Sequence, residues 1–162
     1  MRYFSTRGDG PVNLDYALRN GIAPDGGLFL AEQMPVFTPN DFTGADSIPD
    51  IASVLLAPFF GGSALEQDLE TILAETFSFP MPVTPLLSSA TSVSLLELYH
   101  GPTAAFKDVG ARFLAACLSR LEGDPDSPLT ILVATSGDTG GAVAAAFDAR
   151  PGMRVVVLFP DG

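Results

Sequence analysis

The sequence predicts an α/β protein: a helical and looped amino-terminal region, followed by the start of a parallel βαβαβ domain. Three observations carry that expectation. Leu129 to Ala134 and Met153 to Phe159 are near-continuous apolar runs, the pattern of strands covered on both faces of a parallel sheet. Helical patterns alternate with them, over Ala104 to Leu121 and over Thr139 to Arg150. The proline-rich connector Phe79-Pro80-Met81-Pro82-Val83-Thr84-Pro85 separates this alternating region from a first region of different texture. Residues 1–86 are therefore expected to form one domain, and residues 87–162 the first part of another.

In the first region, Asn13 to Asn20 reads as a short helix stopped by Gly21. Asp25-Gly26-Gly27 is a turn, Leu28-Phe29-Leu30 a short strand, and Pro35 to Pro49 mostly loop. Ile51 to Phe60 is helical despite Pro58 and is broken by Gly61-Gly62. Ser63 and Glu66 have the spacing of a capping box, and Leu65, Leu69, Ile72, Leu73 and Phe77 form the helical stripe that follows. Beyond the connector, Ser94 to Tyr99 is a strand, Ala104 to Leu121 a helix, and Gly123 to Pro128 a turn-rich link. Then come the strand at 129–134, the helix at 139–150 and the strand at 153–159. Three parallel strands leave exposed edges, and no helix follows the last. The sequence therefore reads as the amino-terminal part of a longer protein, expected to self-associate or to order incompletely when alone.

Composition excludes several classes of partner. A net charge of −11 repels nucleic acid and anionic lipid. No apolar run reaches the roughly 20 residues of a membrane-spanning helix. Arg2 to Arg7 has no apolar core of the kind a secretory signal needs, so a cytoplasmic protein is expected. With one histidine, His100, and one cysteine, Cys117, no metal site is expected, and Cys117 is most simply a small core residue.

Lys107 is the only lysine. It opens a helix on the stripe shared with Ala111, Leu114 and Leu118, while Asp108, Arg112 and Ser119 fall on the neighbouring, solvated face. A cation in the first turn opposes the helix dipole by about 0.3–1 kcal/mol. A lysine placed against that cost is either a nucleophile toward carbonyl groups or a side chain that snorkels to water. A second motif, Thr135-Ser136-Gly137-Asp138-Thr139-Gly140-Gly141, joins a strand to a helix at the carboxyl end of a parallel strand, where anions bind. It is neither a Walker A loop nor a Gly-x-Gly-x-x-Gly turn. The alternative is an ordinary turn whose Asp138 or Thr139 caps the helix.

Taken together, His100-Gly101-Pro102-Thr103-Ala104-Ala105-Phe106-Lys107-Asp108 and Ala134-Thr135-Ser136-Gly137-Asp138-Thr139-Gly140 closely resemble the threonine synthase family, pyridoxal-phosphate enzymes of the tryptophan synthase β fold type, also called fold type II. Tyr3 to Gly8, Gly21 to Phe29 and Pro80-Met81-Pro82 resemble that family's amino-terminal region in order. The resemblance implies pyridoxal 5'-phosphate as cofactor, bonded through its aldehyde to Lys107, whose released amine would move protons among Cα, Cβ and C4′. It implies that Phe106 packs on the pyridine ring and that Asp138 lies near the 3′ oxygen, where many relatives have asparagine. Thr135, Ser136, Gly137 and Thr139 would hold the substrate carboxylate. The implied reaction converts O-phospho-L-homoserine and water to L-threonine and phosphate. Rival readings are a related phospho-lyase releasing 2-oxobutyrate and a non-catalytic homologue that keeps the fold.

His100 either lines the site or is a histidine satisfied by backbone, and Asp108 is a further candidate, read most simply as a first-turn acid with Arg112 four residues on. Asp161 departs from the basic residue common in relatives. The family's phosphate-cradling loop and the residue facing the pyridine nitrogen belong to later sequence, so these 162 residues alone are expected not to turn over substrate.

Overall fold

The structure is a computed structural model, and it describes residues 1–86, 93–121, 126–135, 137–148 and 150–160. Ser136 and Asp161 lie outside the described residues, as do Gly123, Asp124 and Pro125 of the expected link. The chain divides into two compact units, Met1–Glu75 with Ala116–Leu121, and Thr76–Ala115 with Glu122–Gly162.

In the first unit, β1 (Tyr3–Ser5) pairs antiparallel with β2 (Phe29–Ala31), and α1 (Leu14–Asn20) lies between them in sequence. Asn13 caps α1 by accepting from Tyr16 N, and Gly21 ends it at φ 64°, a conformation that favours glycine. Helix α2 (Ile48–Phe60) starts earlier than its apolar run. Its first turn is set by Ser47, whose hydroxyl accepts from Asp50 N while the Asp50 carboxylate accepts from Ser47 N, so the helix begins inside the expected loop.

The expected box at Ser63 and Glu66 is built otherwise. Ser63 Oγ accepts from Leu65 N, and Glu66 reaches back to Gly62 N rather than to Ser63. A short 3-10 turn, Glu66–Asp68, therefore precedes α3 (Leu69–Thr76). Leu65, Leu69, Ile72 and Leu73 are buried with Phe60, Cys117 and Leu118. Each such large side chain contributes roughly 1.5–3 kcal/mol.

In the second unit, the proline-rich connector supplies a strand. β3 (Val83–Pro85) pairs antiparallel with β4 (Ser94–Leu96). Prolines donate nothing to a ladder and are tolerated on such an edge. The strand expected to open the parallel sheet is thus paired, among the described residues, with the connector. The parallel ladder itself consists of β5 (Leu129–Ala134) and β6 (Met153–Leu158), in register from Leu129 opposite Met153 to Ala134 opposite Leu158. They are joined through α5 (Asp138–Phe147). Ala142, Ala146 and Phe147 are the buried side chains of α5. The α/β class therefore stands, with one βαβ crossover, β5–α5–β6, among the described residues. Helix α4 (Lys107–Leu121) precedes it. Among the described residues no helix is long and apolar enough to cross a membrane.

Candidate active site

Helix α4 starts at Lys107, three residues later than its propensity pattern implies. The cause lies in residue 108. Asp108 is only 1% exposed, and its carboxylate accepts from Thr103 N at 2.9 Å and from Thr103 Oγ1 at 2.6 Å. This tie keeps residues 103–106 in a turn, with Ala104 at φ 55° and its N–H donating to Gly101 O at 3.1 Å. The expectation that Asp108 faces solvent is therefore corrected: a polar residue goes inward when its own loop supplies both hydrogen bonds. Arg112, its expected partner, donates to Thr76 O and to Ser78 Oγ.

With Asp108 turned to the core, Lys107 is turned away from it. The amino-terminal part of its stripe borders a pocket of about 540 Å³ lined by Phe106, Lys107, Ala111, Leu114, Thr139 and Val143 among others. That volume is within the range of small-molecule sites, roughly 300–1,000 Å³. The walls are mostly apolar and the amine is the charged group among them. The Lys107 side chain is 31% exposed, with Nζ 3.7 Å from Asp138 Oδ2 and 4.4 Å from the centroid of the Phe106 ring. An exposed ion pair of this length is worth about 0–1 kcal/mol, so Asp138 orients the amine more than it stabilises the fold.

The strand-to-helix turn splits its residues between two tasks. Gly137 is the N-cap residue of α5, with extended backbone and no side-chain cap, so neither Asp138 nor Thr139 serves as the cap. Thr135 does that work from further back: its Oγ1 accepts from Gly137 N at 3.2 Å and from Gly140 N at 3.3 Å. Asp138 and Thr139 are left exposed at the start of α5. Lys107, Phe106, Asp138 and Thr139 are thus brought together.

His100 is not among the residues that line this pocket. Its Nε2 lies 2.7 Å from Glu97 Oε2, and its ring is 4.6 Å from that of Tyr99. The Glu97 carboxyl also accepts from Thr84 Oγ1 at 2.7 Å, and that hydroxyl, followed by His100 and Tyr99, holds it below the usual carboxylate range. Glu97, Thr84, Thr103 and Val143 are roles the sequence reading did not assign. Only Val143 carried a signal, lying four residues after Thr139 on the same helix face.

An apolar pocket with one amine in its wall, at the amino-terminal ends of two helices of an α/β unit, has the form of a small-molecule site. The comparisons make the relationship specific. Residues 2–77 match the family model "Threonine synthase N terminus". The chain is 41% identical over 154 residues to threonine synthase of Escherichia coli (strain K12), a match covering 93% of this chain and 35% of that protein. It is 37% identical over 178 residues to threonine synthase of Schizosaccharomyces pombe, covering all of this chain and 34% of that protein. Among solved structures, a pyridoxal-phosphate-bound threonine synthase from Brucella melitensis matches with a TM-score of 0.87 and 37% identity, over 100% of this chain and 36% of that one. The expected relationship to the threonine synthases, and to their amino-terminal portion, is shown by these matches. The chain spans about a third of the length of the relatives it matches.

Proposed function

We propose that this chain is the amino-terminal part of an enzyme that converts O-phospho-L-homoserine and water to L-threonine and phosphate with pyridoxal 5'-phosphate. One observation carries the reading: the sole lysine stands in the wall of an apolar pocket, beside Phe106 and Asp138, in a chain similar to threonine synthases. The pocket suits the group. It has room for a substituted pyridine, an aromatic ring to stack against, an amine to bond an aldehyde, and a carboxylate within reach of that amine.

In this reading Lys107 would hold the cofactor through its aldehyde, and its Nζ would hold or move a proton during the reaction. Phe106 would help to hold the pyridine ring, and Asp138, 3.7 Å from Nζ, would keep the amine on the pocket side and serve the cofactor's ring oxygen. Thr139 presents its hydroxyl to the substrate carboxylate at the start of α5, where the helix dipole favours an anion, and the family resemblance assigns Ser136 and Gly137 to the same group. Thr135 supports that turn. When bound, the cofactor supplies an electron sink for the carbanion chemistry. Residues 1–86 form the family's amino-terminal domain in this reading, and the enzyme works in the cytoplasm.

The test uses the full-length protein. Borohydride reduction in the presence of pyridoxal phosphate, followed by peptide mapping, is expected to fix the pyridoxyl label on Lys107, and product analysis is expected to give threonine. A label on another lysine would overturn the site, and 2-oxobutyrate as the product would overturn the reaction.

A further inference from the structure

A buried carboxylate is retained only where both its oxygens are matched. Among the described residues those of Asp108 are matched by Thr103, through one main-chain N–H and one hydroxyl. Gly101 lies against the same carboxylate, and a Cβ at that position would run into Asp108 Oδ2. Between the two ends of this clamp, Ala104 holds a left-handed backbone conformation at φ 55°. L-residues other than glycine keep that conformation only where their surroundings impose it, and such residues collect at functional sites. Asp108 N donates to Ala105 O at 3.0 Å, and Ala105 is buried, so the turn is fixed at both ends and in the middle.

The consequence falls on the preceding residue. Successive side chains on a helix diverge by about 100°. Once Asp108 is held in the core, the direction in which Lys107 leaves the helix is set, and that direction is the pocket. We propose that Asp108 is a positioning residue: by clamping Thr103 it maintains the strained 103–108 turn and fixes where the Lys107 amine stands. This rests on the reading of Lys107 as the residue that bonds pyridoxal phosphate.

The experiment compares full-length native protein with Asp108→Ala, Asp108→Asn and Thr103→Val, reading the rate at which added pyridoxal phosphate becomes fixed to Lys107 by borohydride. Asp108→Ala is expected to slow that attachment about tenfold or more, the effect of losing hydrogen bonds to a charged group. Asp108→Asn is expected to restore it to within about threefold, because its amide oxygen can accept from Thr103 N and its amide N–H can donate to Thr103 Oγ1. Thr103→Val removes only the hydroxyl, and a slowing of about threefold to tenfold is expected. Should Asp108→Ala not fold, Thr103→Val alone decides. Native-rate attachment in Thr103→Val or in a folded Asp108→Ala overturns the proposal, as does an Asp108→Asn variant as slow as the alanine. If the native enzyme is not labelled at Lys107, the functional reading fails instead, and the two failures are distinct.

Discussion

Thr135 and Thr139 stand four residues apart on one turn, and their hydroxyls serve different ends. Thr135 Oγ1 takes two main-chain N–H groups, those of Gly137 and Gly140, whereas Thr139 is exposed and lines the pocket. Thr135→Val is expected to destabilise the fold by about 0.5–1.5 kcal/mol, the net worth of a hydrogen bond, and Thr139→Ala to leave stability unchanged. Thr139→Ala should instead weaken substrate binding about tenfold while sparing cofactor binding. Thermal unfolding and substrate titration of the full-length protein check the pair; equal losses for cofactor and substrate would make Thr139 structural too. Cys117 makes a separate case. It is fully buried, and burial pushes its thiol up to about 12. The raised value means that the thiol's contribution to stability is complete below about 9 and is lost as pH rises toward 12. A thiol reagent at pH 8 is therefore expected to modify Cys117 only after unfolding, and rapid reaction of native protein would contradict its burial.

At the scale of elements, α5 approaches β6 through a glycine. A Cβ on Gly140 would lie 3.1 Å from Val157 Cγ1 and would overlap the Thr135 side chain, while a Cβ on Gly141 would meet nothing within 4 Å. Gly140→Ala is thus expected to cost about 1–3 kcal/mol by overpacking and to disturb the Thr135 cap. Gly141→Ala should add about 0.5–1 kcal/mol, since alanine is the better helix former. Chemical denaturation of both variants checks the contrast, and equal effects would mean that α5 does not sit on the sheet as described. This element was legible in outline, because an apolar run, a glycine-bearing turn and an alanine-rich stripe bound it; β5 keeps the limits of its run. What stayed hidden depends on partners that periodicity does not see. The pairing of Val83–Pro85 with Ser94–Leu96 is non-local, and prolines argue against a strand in their own window. The outward default of polar residues places Asp108 in solvent, whereas its partner Thr103 lies five residues back, outside the helical spacing of three or four. The convergence of Lys107 and Asp138 rested on the family resemblance, since nothing in either segment alone states that the two helices begin side by side.

For the molecule as a whole, charge and apolar surface act against each other. Asp25, Asp50 and Glu97 are held below the usual carboxylate range first by hydroxyls, of Ser5, Ser47 and Thr84, and Asp41 by the Thr38 N–H and hydroxyl. A carboxyl lowered on folding contributes stability above its unfolded value, near 4, and loses it as pH falls through the lowered one. The melting temperature is expected to drop as pH falls from about 5 to 3, and an unchanged value across that window would show these contacts to be energetically silent. The same titration removes the net charge of −11, since the isoelectric point is about 4.1. Along β5 and β6 exposure alternates, and the open face carries Leu132, Val156 and Leu158. An apolar sheet face of this kind pairs with another copy when nothing else covers it. Repulsion between copies acts over long range and is screened within about 10 Å at 0.1 M salt, so it delays contact without cancelling the burial that follows. The 162-residue polypeptide is therefore expected to self-associate, more strongly as salt rises and as pH approaches 4. Leu132→Thr with Leu158→Thr, which keep strand propensity while removing apolar area, should abolish the effect. Light scattering across salt and pH is the measurement. A native polypeptide that stays monomeric throughout, or a double variant that associates equally, would show that the open face of β5 and β6 is not what drives association.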